Sequence, residues 1–197
     1  MTQEIFAVVL AAGSASRFGS TKQLAEIDGR AMVRLALESA TRVCGDRALL
    51  VTGHDSAAVA RACAGLQVFV SVNESSANGL GCSIAHAVGR LSPLASGLLV
   101  VLADHPLVGE QHLRSLVTAW SGNEDEIVTT TYAAAQGPPV LFPRGCFADL
   151  AALDGDRGGR HLFDDERFQV KTIACEAAAR DVDVPDDLRQ ISRSARS

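Results

Sequence analysis

The stretch that decides the fold is IFAVVLAAGSASRFGSTK, residues 5–22 of a chain of 197 residues. It opens with an uninterrupted apolar run, IFAVVL, and changes at Gly13 into a series of small side chains. A short apolar run without alternation is typical of a strand that is covered on both faces, as in a parallel sheet. The sequence therefore predicts a buried strand that leads into a glycine-bordered loop.

Three more apolar runs, rich in Val and Leu, lie further along the chain. They occupy residues 48–52, 68–72 and 98–103. Apolar residues at helical spacing lie between or after these runs, at residues 31–43, 56–64, 83–91 and 110–120. Four alternations of strand and helix predict an α/β fold, with a single doubly wound, Rossmann-like, mostly parallel sheet and helices on both faces.

The last third of the chain has a looser pattern. Strands are predicted at residues 127–132, 139–142 and 168–173, and short helices at residues 147–153 and 159–163. Neither an internal repeat nor a linker-like change in composition interrupts the sequence. We therefore expect one domain over residues 1–191 and a flexible, Ser/Arg-rich tail over residues 192–197.

Composition excludes several classes of protein. With 47% hydrophobic and 21% charged residues, the chain has the composition of an ordinary globular protein. Its net charge of −5 argues against a broad surface for nucleic acid or for an anionic membrane. No apolar run approaches the ~18 residues of a membrane span. Glu4, with no Lys or Arg before the first apolar run, argues against a secretory signal. Five scattered cysteines without a C-x-x-C pair favour a reducing cytoplasm over a disulfide framework or a zinc site.

The loop after the first strand has the chemistry of an anion site. Small residues around Gly13 let backbone N–H groups approach a phosphate, and Arg17 and Lys22 supply positive charge. The spacing fits neither the P-loop nor the dinucleotide-binding motif. A Gly/Ser turn with two solvated cations is the alternative interpretation.

Two acidic positions are candidates for metal binding. Asp104 follows the strand at residues 98–103 in the string LADHPLV, and Asp183 lies in RDVDVPDDL, residues 180–188. A carboxylate beside a phosphate-binding loop suits Mg²⁺, which prefers oxygen ligands. Ordinary structural roles stay open: Asp104 as a turn or helix cap, and Asp183 as the cap of a helix that starts near Pro185.

These strings resemble the signature motifs of a family of nucleotidyltransferases. LAAGSASRFGSTK is similar to L-A-A-G-x-[SA]-x-R-F-G-x-x-K, the loop of the MobA-like enzymes that include molybdenum cofactor guanylyl- and cytidylyltransferases and of the sugar-phosphate pyrophosphorylases. LADHPLV is similar to the family's L-x-D-x-P-L-V. Residues 181–188 are similar to D-[IV]-D-T-P-x-D-L, with Val184 where Thr is usual. The matches extend from residue 10 to residue 188.

The resemblance implies roles for individual residues. Arg17, Lys22 and Asp104 are the expected catalytic residues. Asp104 and Asp183 are the expected ligands of Mg²⁺, with Asp181 as the fallback for Asp183. The expected nucleotide-binding residues are Leu10, Ala11, Ala12, Gly13, Ser14, Arg17, Lys22, Asn73, Gly79 and Ser83, the last three from a loop similar to the family's N-x(4–5)-G-[ML]-x-x-S.

Two further strings resemble the molybdopterin cytidylyltransferase branch of this family. They are GPPVLF at residues 137–142, with Pro138 where His is common, and GDRGGR at residues 155–160. Arg binds phosphate oxygens bidentately, so the second string also suits an acceptor phosphate. The expected acceptor-side residues are His105, Asp156, Arg157 and Arg160, although the two arginines equally suit a solvated helix start.

The resemblance implies an enzyme that moves CMP from CTP to a molybdopterin-type acceptor, releases pyrophosphate and serves a molybdenum hydroxylase. Ala12 stands where the guanylyltransferases have glycine, which favours CTP over GTP. Three alternatives stay open. They are GTP as the donor, another phosphorylated acceptor such as a sugar phosphate or phospholactate, and a non-catalytic carrier of the molybdenum cofactor.

Overall fold

The computed structural model describes residues 3–13, 21–133, 135–182 and 187–188. Within these ranges the strands are β1 (Ile5–Ala11), β2 (Glu26–Ile27), β3 (Arg30–Ala31), β4 (Ala48–Thr52), β5 (Phe69–Val72), β6 (Gly97–Leu102), β7 (Glu126–Tyr132), β8 (Ala135–Pro143) and β9 (Gln169–Ala174). The α-helices are α1 (Met32–Cys44), α2 (Ser56–Ala62), α3 (Leu80–Val88), α4 (Glu110–Ala119) and α5 (Phe147–Ala151).

Seven strands form one central sheet in the order β5-β4-β1-β6-β8-β7-β9. The pairs β4–β5, β1–β4, β1–β6 and β7–β9 are parallel, whereas β8 runs antiparallel to both β6 and β7. The predicted fold class is therefore confirmed: the sheet is mostly parallel, and helices cover both faces.

Side chains of the central strands point alternately to the two faces of the sheet, so the core has two layers. In β1, Ala7 and Val9 face the layer that contains α1, α2 and α4, whereas Val8 and Leu10 face the layer that contains α3 and α5. All four side chains are buried. Successive side chains of a strand point to opposite faces, so an apolar residue is needed at every position of a strand that is covered twice. This explains the continuous apolar run at the start of the chain.

Helix α1 shows how the helices attach to the sheet. Val33, Leu37 and Ala40 lie one turn apart on one face of the helix, and all three are fully buried. This is the apolar stripe of an amphipathic helix that packs on a sheet. The helix ends at Gly45, whose φ of +62° is a conformation that glycine adopts without a steric penalty.

The structure differs from the sequence-based expectations in two places. Strand β5 lies at the edge of the sheet, and Phe69 is 61% exposed, so its apolar run does not mark a strand covered on both faces. The two-stranded hairpin β2–β3 was not predicted, because strands of two residues carry no periodicity. The short helix expected at residues 159–163 is present, as the 3-10 helix Gly159–Asp164.

Among the described residues, no helix combines the length and the apolar character that a membrane span requires. The five cysteines all lie within the described ranges and are free thiols. Burial raises the pKa of the Cys44 thiol to about 11, which keeps the thiol protonated and unreactive.

Candidate functional site

The site lies at the carboxyl ends of β1 and β6, which are adjacent parallel strands. Leu10 pairs with Leu102, and the N–H of Ala103 donates to the carbonyl of Leu10 at 3.1 Å. The loops that follow the two strands therefore leave the sheet side by side. Ligands of open α/β sheets bind at this edge, and both loops carry residues that the sequence analysis singled out.

Lys22 and Asp104 meet at this edge. The ammonium Nζ of Lys22 lies 2.8 Å from Oδ2 of Asp104, and the two side chains are 13% and 27% exposed. Lys22 begins a single 3-10 turn, Lys22–Leu24, whereas Asp104 follows the end of β6 by two residues. A cation and a carboxylate from distant parts of the sequence thus face the same opening.

The end of the first loop is held by a residue that the sequence analysis did not identify. Gln23 is buried, and its Nε2 donates to the carbonyl oxygen of Gly13 at 2.9 Å. Thr21 donates its hydroxyl hydrogen to Oδ2 of Asp55. A polar residue in a loop gives no sequence signal that separates a buried anchor from a solvated side chain, so these contacts were found only in the structure.

Asn73 and Ser83 form a second anchor, at the start of α3. The Nδ2 of Asn73 donates to Oγ of Ser83 at 3.2 Å, and its Oδ1 accepts from the N–H of Ser75 at 3.0 Å. Asn73 is buried and does not line the opening. The side-chain amide of Asn73 fixes the loop before α3. Asn73 therefore positions this loop and does not contact the cleft directly.

Two glycine-containing strings that are far apart in the sequence pack directly on each other. The N–H of Gly81 donates to the carbonyl of Gly155 at 2.8 Å. A β-carbon on Gly79 would lie 2.4 Å from the carbonyl carbon of Gly155, and one on Gly81 would lie 2.5 Å from the carbonyl oxygen of Arg157. Only glycine permits this approach, so residues 79–83 and 155–158 form one wall of the site.

A cleft of about 410 Å³ lies between the first loop, the start of α3 and the loop after β6. It is lined by Leu10, Ala12, Gly13, Lys22, Gln23, Ser76, Ala77, Gly79, Leu80, Ser83, Leu102, Ala103, Asp104 and Asp156. Most of the predicted nucleotide-binding residues are in this set. Ala11 is buried and is not in the lining. Ser14, Arg17 and Asp183, like the tail at residues 192–197, lie outside the described residues.

A second cavity of about 250 Å³ adjoins the cleft and shares Leu80 and Leu102 with it. Its walls come mainly from α3, β6, β7, β8 and the segment that begins at Gly158. The lining residues are Leu80, Ile84, Val100, Leu102, Tyr132, Gln136, Gly137, Pro138, Val140, Phe142, Gly158, Gly159, Arg160 and Phe163. The two strings at residues 137–142 and 155–160 therefore converge on one cavity. Tyr132 and Gln136 belong to it although no sequence pattern singled them out.

Tyr132 connects this cavity to the loop after β6. Its ring meets the ring of His105 edge-on, with centroids 6.4 Å apart. Burial and the carboxylates of Asp181 and Asp104 raise the pKa of Tyr132 above its ordinary value, and Arg160 acts in the opposite direction. The phenol therefore stays protonated at neutral pH and can donate a hydrogen bond.

The remaining acceptor-side residues occupy different places. His105 is buried behind the cleft, with Nε2 4.0 Å from Oδ1 of Asp104, and it lines neither cavity. Asp156 lines the cleft and Arg160 lines the second cavity. Arg157 is exposed and is in neither lining. The roles predicted for these residues stay predictions.

A backbone hydrogen bond joins the segment before Asp183 to Asp104. The N–H of Val182 donates to the carbonyl oxygen of Asp104 at 3.0 Å, and the side chain of Val182 is fully buried. Asp104 offers a partly exposed carboxylate, which is the donor type that a hard divalent cation takes. Within the described ranges, no cluster of three or more His, Cys, Asp or Glu side chains is arranged for a metal. The carboxylate of Asp104 fits Mg²⁺, which uses one or two carboxylates and keeps several waters.

A comparison with protein families agrees with this geometry. The family model of the MobA-like NTP transferase domain matches residues 7–171. The chain belongs to the MobA-like NTP transferase domain family. It is therefore a nucleotidyltransferase of this family, and the cleft at the ends of β1 and β6 is the candidate active site of the MobA-like domain.

Similar proteins cover almost the whole of this MobA-like chain. Purine catabolism protein PucB of Bacillus subtilis is 25% identical over an alignment of 201 positions, gaps included, which covers 96% of this chain and 97% of that protein. The structure of Rv0371c from Mycobacterium tuberculosis H37Rv is 32% identical, covers 98% of this chain and 100% of its own, and superposes with a TM-score of 0.84. Rv0371c has also been solved in complex with manganese, with a TM-score of 0.81.

The bifunctional protein GlmU of Lactobacillus delbrueckii subsp. bulgaricus is 31% identical over 137 residues. These residues are 68% of this chain but only 29% of GlmU. The MobA-like chain thus spans less than a third of that relative.

Proposed function

We propose that the chain transfers the CMP group of CTP to the phosphate of a molybdopterin-type acceptor and releases pyrophosphate. The observation that carries this proposal is the pair of adjoining cavities that share Leu80 and Leu102. One is lined in part by the charged residues Lys22, Asp104 and Asp156, and the other is lined mainly by apolar residues. This arrangement suits a reaction that joins a charged donor to an acceptor with a large apolar surface.

In the proposed reaction, an oxygen of the acceptor phosphate attacks the α-phosphorus of CTP. The bond from that phosphorus to the oxygen bridging to the β-phosphate breaks, and pyrophosphate leaves with the electron pair. The acceptor phosphate is already an anionic nucleophile, so a strong general base is not needed. The enzyme has to hold two anions together and stabilise the charge on the phosphates.

The residues of the cleft would supply this stabilisation. Asp104, together with Asp183, would hold Mg²⁺, which neutralises phosphate charge when it is bound. Lys22 would bind phosphate oxygens beside it, and the backbone N–H groups of the first loop with Arg17 would cradle the triphosphate. Ser83 and Gly79 would line the nucleoside end of the cleft.

The proposed choice of nucleotide rests on Ala12. Ala12 lines the cleft, and in the proposed binding mode its methyl group takes room that a glycine would leave to the base. CTP has the smaller base, and we therefore propose CTP over GTP as the donor.

The proposed choice of acceptor rests on the lining of the second cavity. A sugar brings many hydroxyl groups, each of which loses free energy when it is buried without a partner. Seven apolar side chains (Leu80, Ile84, Val100, Leu102, Val140, Phe142 and Phe163) offer few such partners. A flat heterocycle with a phosphate on the side of Arg160 fits this lining better. The product would serve a molybdenum hydroxylase, and a cytoplasmic location agrees with that role.

Pyrophosphate release tests the proposal. The purified chain is incubated with Mg²⁺, molybdopterin and each nucleoside triphosphate in turn. We expect release with CTP, much less with GTP, and none when molybdopterin is left out. Tight binding of molybdopterin with no turnover of any triphosphate would favour the carrier instead. Turnover only with a sugar phosphate would overturn the proposed acceptor.

A further inference from the structure

The pairing of β7 with β8 is interrupted where these strands form part of the wall of the second cavity. Along the pair of β7 and β8, Thr129 lies opposite Val140 and Thr130 lies opposite Gly137. Two residues of β8, Pro138 and Pro139, therefore have no partner on β7 and form a bulge. Proline has no N–H to give to a ladder, so a bulge is one of the few places where a sheet accepts it.

Two threonine hydroxyls bind backbone carbonyl groups at the bulge. Oγ1 of Thr129 donates to the carbonyl of Gly137 at 3.2 Å, and Oγ1 of Thr130 donates to the carbonyl of Pro139 at 2.7 Å. Both threonines are fully buried. A buried carbonyl without a donor is costly, so these hydroxyls hold the bulge in one position.

A histidine of α4 holds one of these hydroxyls. Nε2 of His112 lies 2.8 Å from Oγ1 of Thr130. Because the single hydroxyl hydrogen of Thr130 goes to Pro139, Thr130 accepts at this contact and Nε2 of His112 carries the hydrogen. A chain of two hydrogen bonds thus runs from α4, on one side of the sheet, to the bulge that lines the cavity.

We propose that Thr130, held by His112, is a positioning residue for the acceptor. It fixes the bulge, and the bulge places Gly137 and Pro138 in the cavity wall beside Tyr132 and Arg160. The identity of the acceptor rests on the proposed function above, but the positioning itself does not. Removal of the hydroxyl should therefore disturb the second cavity and leave the nucleotide cleft intact.

The first test compares two substitutions by steady-state kinetics with CTP and molybdopterin. Thr130→Val removes the hydroxyl at nearly constant volume, and Thr130→Ser keeps it. We expect KM for molybdopterin to rise about ten-fold in Thr130→Val, with KM for CTP unchanged, and we expect Thr130→Ser to be near wild type. Thr118→Val, at an exposed position of α4, is the control for the loss of a threonine hydroxyl. Equal changes in both KM values would overturn the proposal.

The second test does not depend on turnover. The chain contains one tyrosine, Tyr132, so labelling with 3-fluorotyrosine gives a single ¹⁹F resonance from the second cavity. We expect Thr130→Val to shift or split this resonance, His112→Leu to shift it in the same direction, and Thr130→Ser and Thr118→Val to leave it in place. If Thr130→Val does not fold, the ¹⁹F resonance of His112→Leu provides the same test.

The two tests separate the two proposals. If the wild-type protein does not turn over molybdopterin but Thr130→Val moves the resonance, the proposed acceptor is wrong, whereas Thr130 still positions the wall of the second cavity. If the resonance stays in place in both Thr130→Val and His112→Leu, the positioning role is wrong.

Discussion

Nζ of Lys22 lies 2.8 Å from Oδ2 of Asp104, and the two residues are 82 positions apart in the sequence. The pair exists because parallel strands β1 and β6 end side by side. Asp104 thus already faces a cation that belongs to the protein. A metal ion on this carboxylate has to share it with the ammonium group, while a triphosphate gives the ammonium group another partner.

Lys22→Met should therefore separate two effects. Without nucleotide, loss of the competing cation should raise the affinity for Mn²⁺ by roughly two- to five-fold, because partly exposed ion pairs contribute up to about 1 kcal/mol. The affinity for CTP should fall. Titration with Mn²⁺ followed by electron paramagnetic resonance measures the first effect, and calorimetry with CTP measures the second. Arg61→Gln, at an exposed position, is the control. Weaker Mn²⁺ binding in Lys22→Met would contradict the arrangement described for Asp104.

The glycine contact between α3 and the loop at residues 155–158 predicts a large effect of a single methyl group. Gly81→Ala would place a β-carbon 2.5 Å from the carbonyl oxygen of Arg157, so the loop has to move. Overpacking of this kind costs about 1–3 kcal/mol, and we expect a lower Tm together with higher KM values for both substrates. Gly109→Ala is a matched control, because no atom lies within 4 Å of its β-carbon. Equal Tm values for the two variants would refute close packing at Gly81.

Ala12→Gly tests the basis of the nucleotide preference. Ala12 lines the cleft, and we expect removal of its methyl group to make room for a larger base. We expect the ratio of kcat/KM for CTP to that for GTP to fall by about ten-fold, which corresponds to ~1.4 kcal/mol. Pyrophosphate release with each nucleotide gives the ratio. An unchanged ratio would show that the base is recognised elsewhere.

The buried carboxylate of Glu126 should control stability in acid. Burial alone would raise the pKa of Glu126, but hydrogen bonds from Lys171 and from Ser121 outweigh it and hold the pKa below its ordinary value. Nζ of Lys171 lies 2.7 Å from Oε2, which links β9 to β7. A lowered native pKa gives stability that is fully present above the ordinary pKa of Glu and is lost as the pH falls through the native pKa.

Glu126→Gln should therefore lower Tm at neutral pH, by the equivalent of about 1 kcal/mol, and lose less stability than wild type between about pH 5 and pH 3. Thermal unfolding followed by circular dichroism across this range measures both effects. Glu74→Gln, at an exposed position, is the control. Parallel curves for wild type and Glu126→Gln would contradict the role of this carboxylate.

Much of the fold follows from local sequence, because a doubly covered strand has to be apolar at every position. Strand β4 was predicted at its observed bounds, Ala48–Thr52, for this reason. The edge strand β5 shows the limit of the argument, since its apolar run looks the same although Phe69 is exposed. Whether a strand is central or at the edge depends on the order of strands, which periodicity does not record.

Some residues of the site could be predicted from the sequence, whereas others could not. Lys22, Asp104 and Gly79 were found because their motifs are contiguous, and they line one cleft. Gln23 and Thr130 each donate a side-chain hydrogen bond to a backbone carbonyl of another segment. Such contacts depend on the tertiary fold and leave no repeat, spacing or charge pattern in the sequence. They could therefore be found only from the structure.

The most direct test of the account is pyrophosphate release from CTP, with molybdopterin and Mg²⁺, by Asp104→Asn. The matched control is Asp46→Asn. The native Asp46 side chain is 92% exposed, and the residue follows the end of α1. We predict that Asp104→Asn lowers kcat by about 10²–10³-fold while it keeps the wild-type fold by circular dichroism, and that Asp46→Asn retains full activity. Wild-type turnover by Asp104→Asn would contradict the central claim that this carboxylate serves nucleotidyl transfer.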